Sequence, residues 1–323
     1  MRRVRYYSRG GPEVLVVEEA AVPEPGPGQV LIRAEAIGLN YVDVQIRRTT
    51  ETSSVFHRPV PAGLTGDVVG TVEAVGEGTD PALTGTRVAA LTEDACADYV
   101  AAAADWLVPV SASLNAEAAS VLPTMGAVAL GALRLSRLSE GDTVLVTAAA
   151  GGVGHLAVQL AGRLGAGTVI AAAGSAAKAG FLKELGADVT VDYSQPDWTD
   201  RVRQAAPGGV NVILEAVGGD TLLDCIGLLA PFGRAVGYGA ANGDWGSVPL
   251  LRLVALKTLS AFSLLALRAA APEQARANVA EVARLLESGE LRAVTKTLPF
   301  TDITKAHRLF EERSVLGRLV LMP

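Results

Sequence analysis

The sequence predicts a two-part α/β protein, in which a compact, barrel-like β-rich domain precedes a doubly wound parallel sheet. Short β-branched runs separated by turns occupy the first third, and strands alternate with helices after about residue 115. A glycine-rich loop spans residues 148–154. The length of 323 residues suits two domains, and a 50% share of hydrophobic residues is ample for a sizeable core.

The β-rich region contains four short runs enriched in β-branched residues. They lie at residues 14–17, 29–36, 68–75 and 87–91. Turns rich in proline and glycine, such as residues 23–28 and 76–78, separate these runs. Strands at this spacing favour a compact barrel-like domain over βαβ units.

The pattern changes near residue 115, where an Ala- and Leu-rich stretch predicts helices over residues 115–138. Five strand-like runs follow, at residues 142–147, 168–172, 189–191, 210–214 and 235–238. Helical segments at residues 155–164 and 176–185 come after the first two runs, and this alternation predicts a parallel, doubly wound sheet. The chain closes with a helix over 272–288, a strand over 294–298, a helix over 303–313 and a strand over 317–322.

The composition excludes two classes of partner. Lys and Arg number 28 and Asp and Glu 34, so the net charge is 28 − 34 = −6, which gives no overall field for nucleic acid or an anionic membrane. The longest run that could suggest a membrane span, residues 250–271, is interrupted by Arg252, Lys257 and Arg268, which argues against that reading. The first residues also lack the apolar core of a secretory signal. We therefore expect no nucleic acid and no membrane as partners.

Cysteine and histidine are scarce. The two cysteines, Cys96 and Cys225, cannot form a disulfide framework, which indicates a reducing, cytoplasmic setting. The histidines, His57, His155 and His307, lie far apart, so no local cluster offers the roughly three or four ligands of a zinc site. Counting alone leaves open a metal site assembled from distant residues.

The glycine-rich loop is the strongest functional signal. It follows a predicted strand, opens a predicted helix, and matches Gly-x-Gly-x-x-Gly except at the first glycine, which is Ala149. In that pattern the middle glycine lets the main chain approach a pyrophosphate, and the last lets the helix pack closely on the strand. The N–H groups at the helix N-terminus bind phosphate. We therefore predict dinucleotide binding by Gly151, Gly152, Val153 and Gly154.

The end of the next strand indicates which dinucleotide binds. NAD sites usually place an acidic residue there to hold the ribose hydroxyls, whereas this strand ends in Gly174 and Ser175. Ser175 offers a hydrogen-bond donor to a 2′-phosphate, and Lys178 offers a positive charge. Together with Tyr193, which we expect beside the adenosine phosphate, this pattern favours NADPH over NADH.

Several segments together resemble the medium-chain dehydrogenase/reductase superfamily, in its zinc-free NADPH:quinone oxidoreductase, or zeta-crystallin-like, branch. They are the glycine loop, the turn at residues 237–240, and residues 10–15, 25–32, 36–43 and 66–76. The resemblance implies a GroES-like catalytic domain over residues 1–119 and a Rossmann NADPH-binding domain over residues 120–262. It further implies that residues 263–323 return to the catalytic domain, and that the protein is a homodimer with residues 248–262 as a candidate interface.

The resemblance also bears on metal binding. Zinc-dependent members of the superfamily carry a cysteine ligand where this chain has Asn40, and a histidine ligand where it has Gly66, beside Asp67. Their third ligand falls near residues 124–127, which contain neither cysteine nor histidine. In the region of their four-cysteine structural lobe this chain has only Cys96. We therefore expect a site without metal.

Roles for individual residues follow from the same resemblance. Asn40 and Tyr41 are the predicted catalytic residues: Asn40 binds the substrate or the nicotinamide ribose, and Tyr41 lines the pocket. Further predicted cofactor contacts come from strand ends, at Ala216, Val217, Tyr238, Gly239, Phe262 and Ser263. Structural packing remains the alternative for each of them. Asp43 is expected to cap its helix rather than to act as an acid or base.

Two segments depart from the branch. Residues 124–127 read Thr-Met-Gly-Ala where the branch usually has Gly-Leu-Thr-Ala, so Thr124 is a candidate substitute for the missing threonine. The polar loop Thr49 to His57 is distinctive, and its effect on substrate preference is left open. We expect His155 to face away from the phosphates and His307 to be structural.

The implied activity is hydride transfer without metal, from NADPH to a quinone or an α,β-unsaturated carbonyl compound. Negative charge develops on the acceptor oxygen, where the Asn40 amide, the Tyr41 hydroxyl or a main-chain N–H would stabilise it. Two alternatives stay open. One is a 2-enoyl-thioester or polyketide enoyl reductase of the same superfamily, and the other is a non-catalytic, crystallin-like protein that binds NADPH.

Overall fold

A computed structural model describes residues 1–52, 54 and 56–323. The chain divides into two compact units, the first formed by Met1–Thr124 and Ala283–Pro323 and the second by Met125–Val282. The second unit therefore extends beyond the predicted limit at residue 262. Arg134 explains this locally, because it forms an ion pair with Glu281 and a hydrogen bond with Asn278 and so ties that segment to the second unit.

The strands and helices have the following bounds. The strands are β1 (Arg2–Arg5), β2 (Val16–Glu19), β3 (Gln29–Leu39), β4 (Gly66–Val75), β5 (Arg87–Thr92), β6 (Tyr99–Ala103), β7 (Val108–Pro109), β8 (Thr143–Val146), β9 (Thr168–Ala173), β10 (Val189–Asp192), β11 (Val210–Glu215), β12 (Leu229–Gly237), β13 (Thr258–Ala261), β14 (Thr295–Pro299) and β15 (Arg318–Met322). The α-helices are α1 (Val42–Arg48), α2 (Ala116–Ala119), α3 (Ala127–Leu135), α4 (Gly154–Arg163), α5 (Ala179–Glu184), α6 (Trp198–Ala205), α7 (Gly219–Leu228), α8 (Leu264–Ala270), α9 (Pro272–Glu287) and α10 (Ile303–Glu311).

The first unit is built on one sheet with the strand order β14-β15-β3-β4-β5-β7, and β6 also pairs with β3. Neighbouring strands are antiparallel except for β14 and β15. Val30, Ile32 and Leu39 of the central strand β3 contribute to the buried core. Because β15 pairs with β3, with Val320 opposite Gly38, the last strand of the chain lies beside the residues that precede Asn40.

The second unit contains a six-stranded sheet with the order β10-β9-β8-β11-β12-β13. All neighbouring pairs are parallel. Counted from β8 this is the order 3-2-1-4-5-6, which confirms the predicted doubly wound fold. The order reverses between β8 and β11, and ligands of such sheets bind at the carboxyl ends of the strands near that reversal.

Two predicted elements differ from those observed. The predicted strand over residues 14–17 starts later, as β2, because Pro12–Val14 form a 3-10 turn in which the Leu15 N–H donates to the Pro12 carbonyl. The predicted helical stretch over residues 115–138 is divided, since a π-helical turn over Leu122–Gly126 separates α2 from α3. Pro123 lies in that turn and has no N–H with which to continue an α-helical hydrogen-bond pattern.

Within the same stretch, Ala116–Leu135 has the length and apolar composition of a membrane-spanning helix. However, 72% of its most apolar window is buried inside the protein. That burial is expected of a core helix in a soluble protein, whose apolar side chains pack against other parts of the chain.

Candidate functional site

In the first unit, the predicted catalytic residues lie at the junction of β3 and α1. Asn40 follows the last residue of β3 and is 5% exposed, and Tyr41 precedes the first residue of α1. The Tyr41 ring contacts Phe310 of α10 edge to face, with 6.0 Å between ring centroids. The long buried strand β3 and the helix α1 thus hold both residues in place.

A buried arginine that sequence reasoning missed contacts this junction. Arg318, the first residue of β15, is 1% exposed, and its Nη2 atom donates hydrogen bonds to Asn40 Oδ1 at 3.2 Å and to Asp67 Oδ2 at 2.5 Å. Both members of the Arg318–Asp67 ion pair have fully buried side chains. Asn40 and Arg318 are 278 residues apart, so no local pattern relates them. The available signal was a charged residue at the start of an otherwise apolar strand, Leu319–Met322.

Asp67 links this cluster to Thr124. The Thr124 hydroxyl donates to Asp67 Oδ1 at 2.6 Å, so each carboxylate oxygen of Asp67 has a partner. Thr124 lies in the π-helical turn Leu122–Gly126, a distortion that is frequent at functional sites. Thr124 therefore contacts the cluster directly through its side chain. Gly126 has no side chain and makes no such contact.

Asp43 does not cap its own helix, so that prediction was wrong. Its carboxylate instead accepts hydrogen bonds from the Thr65 N–H and the Thr65 hydroxyl, both at 2.9 Å. Thr65 directly precedes β4, which contains Asp67, so Asp43 connects α1 to the start of that strand. Burial raises the pKa of Asp43 to about 7, and this outweighs the hydrogen bonds from Thr65, which lower it.

The glycine loop of the second unit joins β8 to α4, as predicted. A Cβ atom on Gly154 would lie 2.4 Å from the Ala148 carbonyl oxygen, so only glycine permits this close packing of helix and strand. Ala148 itself has a positive φ of 45°, and its carbonyl accepts the Gly151 N–H at 2.9 Å. The loop therefore has the tight turn and the close main-chain approach that a pyrophosphate site requires.

His155 supports this loop from inside the protein. Its ring is fully buried, and Nδ1 lies 2.9 Å from the Gly151 carbonyl oxygen. Because a carbonyl only accepts, Nδ1 carries the proton in this contact. The contact is internal to the loop, and the orientation of His155 relative to the phosphates stays a prediction.

The four residues predicted around the adenosine phosphate lie after β9 and β10. Tyr193 packs against Gly174, where a Cβ atom would approach the tyrosine ring to 3.3 Å. Ser175 Oγ accepts the Ala177 N–H at 3.3 Å, which leaves its hydroxyl hydrogen for another acceptor. Lys178 ends the 3-10 turn that Ser175 caps and is half-buried. Gly174, Ser175 and Lys178 thus lie in one short segment after β9, and Tyr193 lies beside them at the end of the neighbouring strand β10.

Asp192, which sequence reasoning missed, stabilises the same segment by a hydrogen bond. It is the last residue of β10 and accepts the Ala176 N–H at 3.0 Å. Although desolvation would raise the pKa of Asp192, hydrogen bonds from Ser194, Gln195 and the Ala176 N–H lower it overall. Asp192 therefore stays ionised while it holds the turn that leads to Lys178.

Glu215 plays a similar part at the end of β11. Its buried carboxylate accepts the Val217 N–H at 2.6 Å and the Gly218 N–H at 3.1 Å, and the Thr147 hydroxyl lies 3.3 Å away. Burial raises the pKa of Glu215 despite these hydrogen bonds. The loop containing Ala216 and Val217 is thus held by a side chain that the sequence did not single out.

The remaining predicted cofactor residues lie at the ends of β12 and β13. The Tyr238 N–H donates to the Glu215 carbonyl at 2.9 Å, and a Cβ atom on Gly239 would lie 3.3 Å from the Ala216 carbonyl oxygen. The structure therefore groups Ala216, Val217, Tyr238 and Gly239 at two neighbouring strand ends. Desolvation raises the pKa of the Tyr238 hydroxyl, which is neutral near pH 7.

Phe262 and Ser263 have side-chain contacts of a structural kind. The Phe262 ring lies against α3, where a Cβ atom on Gly131 would approach it to 2.5 Å. Ser263 Oγ accepts the Ala266 N–H at 3.3 Å and caps α8. Any contact of Phe262 with a cofactor would therefore come mainly from its main chain, whereas Ser263 keeps a hydroxyl hydrogen to donate.

The other histidines and the polar loop complete the predicted positions. His307 is fully buried, and burial lowers its pKa to about 3. His57 lies in the polar loop, of which Ser53 and Val55 are outside the described residues. Within residues 1–52, 54 and 56–323, no group of three or more His, Cys, Asp or Glu side chains is arranged to hold a metal ion.

Two protein-family models match the chain. The alcohol dehydrogenase GroES-like domain matches residues 26–112, and the zinc-binding dehydrogenase domain matches residues 152–285. The first match lies within the first compact unit, and the second begins at the glycine loop and ends in α9.

Individual relatives match along their whole length. A quinone oxidoreductase of Pseudomonas aeruginosa is 32% identical over 100% of this chain and 99% of its own. A 2-haloacrylate reductase of a Burkholderia species is 32% identical over 98% of this chain and 97% of its own. Among solved structures, a mycobacterial protein in complex with NADPH has a TM-score of 0.92 at 33% identity, with 100% of both chains covered.

Proposed function

The chain belongs to the zinc-free quinone oxidoreductase branch of the medium-chain dehydrogenase/reductase superfamily, and we propose that it transfers a hydride from NADPH to a quinone or an α,β-unsaturated carbonyl compound. The observation that carries this proposal is the strand–glycine loop–helix unit at β8 and α4, where Gly154 allows close main-chain packing. The 32% identical relatives named quinone oxidoreductase and 2-haloacrylate reductase support an acceptor of this class.

NADPH fits the residues of the second unit. The main chain of Gly151, Gly152, Val153 and Gly154 would bind the pyrophosphate at the N-terminus of α4. Ser175 has a hydroxyl hydrogen to donate to the 2′-phosphate, and Lys178 adds a positive charge at the end of the turn that Ser175 caps. NADPH supplies a hydride when bound, and with one proton from solvent the acceptor is reduced by two electrons.

In the first unit, we propose that Asn40 and Tyr41 bind the acceptor. A hydrogen-bond donor beside the acceptor oxygen stabilises the negative charge that develops there as the hydride arrives. Asn40 offers an amide NH₂ group in a nearly dry setting, and Tyr41 presents a ring held edge-on by Phe310. The reduced acceptor takes its proton from solvent, so this proposal requires no general acid among the side chains.

We propose that the reaction proceeds without zinc. Arg318 donates to both Asn40 Oδ1 and Asp67 Oδ2, and its positive charge opposes binding of a divalent cation at the same oxygens. Elemental analysis of the purified protein should therefore find no stoichiometric zinc. One full equivalent of bound zinc would contradict the proposal.

We also propose a cytoplasmic homodimer. Cys96 and Cys225 are buried and unpaired, which suits a reducing compartment. Leu250, Leu251 and Val254 are 82%, 79% and 73% exposed, and they precede β13, the edge strand of the sheet. A second copy that covered this apolar segment would remove it from water. Sedimentation as a monomer at micromolar concentration would contradict the dimer.

The deciding experiment is a panel of quinones, enals, enones and enoyl thioesters, each assayed with NADPH and with NADH. We expect NADPH oxidation with quinones or enones, and a lower kcat/KM with NADH. Reduction of enoyl thioesters without quinone or enone turnover would instead identify an enoyl reductase. NADPH binding without oxidation by any acceptor would favour the non-catalytic alternative.

A further inference from the structure

Arg318 places a positive charge in the interior of the first unit. A buried charge is costly unless it is paired and hydrogen-bonded, so its surroundings must be specific. One of these surroundings is Gly38 on the neighbouring strand β3. A Cβ atom there would lie 2.2 Å from Arg318 Nε and 2.5 Å from Cζ. The absence of a side chain at Gly38 therefore provides the space that the guanidinium group occupies.

The hydrogen bonds of Arg318 determine which atom of Asn40 faces it. Nη2 carries two hydrogens, and its two acceptors are Asp67 Oδ2 at 2.5 Å and Asn40 Oδ1 at 3.2 Å. A guanidinium group has donors and no acceptor. The Asn40 atom that faces Arg318 must therefore be the carbonyl oxygen, however the amide is drawn. Its NH₂ group is consequently turned away from Arg318.

Asp67 and Thr124 hold the arginine in this orientation. Asp67 pairs with Arg318 through Oδ2 and accepts the Thr124 hydroxyl through Oδ1 at 2.6 Å. Because the Asp67 and Arg318 side chains are both fully buried, water does not compete for these contacts. The contacts form one continuous chain, from Thr124 through Asp67 and Arg318 to the carbonyl oxygen of Asn40.

We propose that Arg318 is a positioning residue, which orients the Asn40 amide so that NH₂ rather than the carbonyl oxygen faces the substrate. The proposal rests on the proposed function in one respect, namely that the acceptor oxygen binds at Asn40. A reversed amide would place its carbonyl oxygen against the oxygen that becomes negative, which would destabilise the transition state rather than stabilise it. Arg318 therefore acts on the reaction through Asn40.

Removal of Arg318 alone would take the positive charge of its ion pair away from the buried Asp67 carboxylate and so destabilise the whole fold. The test therefore removes both charges together, in the double variant Asp67→Asn/Arg318→Met, in which the new amide at position 67 can still accept the Thr124 hydroxyl. Asn40→Ala and the triple variant complete a cycle. Arg234→Met/Asp142→Asn, which removes a partly buried ion pair in the second unit, is the matched control.

We expect the double variant to lower kcat at saturating NADPH by about 100-fold, the lower end of the range for loss of one oxyanion donor. Asn40→Ala should cause a similar loss. If Arg318 acts through Asn40, the kcat of the triple variant will be no lower than the lower of the two kcat values measured for the double variant and for Asn40→Ala. Multiplicative losses, or a double variant with undiminished kcat, would overturn the proposal. The control pair should leave kcat unchanged.

A second measurement does not depend on activity. The chain has five asparagines, so ¹⁵N-asparagine labelling gives five side-chain NH₂ signals, and the Asn40 signal is the one lost in Asn40→Ala. The double variant adds one signal, from the amide introduced at position 67. We expect the order parameter of the Asn40 amide to be high in the parent protein and to fall below about 0.6 in the double variant. The Asn211 signal, whose Oδ1 accepts the Thr143 N–H at 2.9 Å, should not change.

The two measurements separate the possible failures. An Asn40 amide that stays equally rigid without Arg318 overturns the positioning role, whatever the activity. If the Asn40 amide loosens as expected but the parent protein reduces no acceptor, the proposed function fails while the orientation of the amide stands.

Discussion

In the first unit, the candidate site is made of side chains from distant parts of the chain, whereas in the second it is made mainly of main chain. Asn40, Asp67, Thr124 and Arg318 meet through hydrogen bonds between their side chains. The glycine loop instead depends on the close approach of α4 to the Ala148 carbonyl oxygen. The comparison shows two ways to prepare a site before a ligand arrives, one by buried polar contacts and one by backbone shape.

Each region depends on a glycine, but for a different reason. A Cβ atom on Gly38 would meet the end of the Arg318 side chain, which has rotatable bonds. A Cβ atom on Gly154 would meet the main chain at Ala148 and Ala149, which is fixed by β8 and its turn. We therefore expect the first region to adjust to small changes and the second to fail abruptly.

The largest effect should follow Gly154→Ala. The new Cβ atom would lie 2.4 Å from the Ala148 carbonyl oxygen, so the loop or the start of α4 must shift. We expect NADPH affinity to fall by about 100-fold, equivalent to about 2.7 kcal/mol, as measured by fluorescence titration. Gly162→Ala, in the same helix with nothing within 4 Å of the new Cβ atom, is the control. It should raise the free energy of unfolding by about 0.5–1 kcal/mol.

Unchanged NADPH affinity in Gly154→Ala would show that the loop moves freely, and the distinction between the two regions would then be lost. A similar loss in Gly162→Ala would attribute the effect to α4 as a whole rather than to the close approach at Ala148.

The second-largest effect should be on the pH dependence of stability, and it should follow substitution of Asp43, a buried acid of the first region. The pKa of Asp43 is about 7 in the folded protein, against an ordinary value of 3.8. Between those two values the unfolded chain is ionised while the folded protein retains the proton, so the free energy of unfolding falls as pH rises from about 4 to about 7. Asp43→Asn removes this contribution and keeps an oxygen that accepts the Thr65 N–H. We expect the variant to gain stability relative to the parent as the pH rises. The free energy of unfolding of the variant minus that of the parent should be about 2 kcal/mol higher at pH 8 than at pH 5.

Urea unfolding at both pH values measures this difference. Burial of His307 contributes the opposite slope, since its pKa is lowered to about 3 and stability is lost as pH falls below its ordinary value. Burial of Glu215 raises a pKa in the second unit as well. Both groups are present in parent and variant, so the difference isolates Asp43. Parallel pH profiles for the two proteins would exclude a raised pKa at Asp43.

The two regions also differ in how far the sequence predicts them. The glycine loop and the alternation of strands and helices are local patterns, so they indicated the doubly wound sheet and the loop that joins β8 to α4. The contact between Arg318 and Asn40 depends on β15 pairing with β3, which no local period encodes. The Asp43 contact was likewise hidden, because its partner, Thr65, lies on the far side of the polar loop. Side-chain clusters assembled by tertiary pairing require the fold before they can be seen.

The smallest effect should follow removal of Lys178, the one cationic side chain among the predicted cofactor contacts. Lys178 lies at the end of the turn capped by Ser175, so its charge would be specific for the 2′-phosphate that distinguishes NADPH from NADH. We expect Lys178→Ala to weaken NADPH binding by about tenfold, or about 1.4 kcal/mol, and to leave NADH binding nearly unchanged. Lys183→Ala, at an exposed position in α5, controls for the loss of a nearby positive charge. Equal losses for the two cofactors would mean that Lys178 stabilises the turn itself and does not bind the 2′-phosphate.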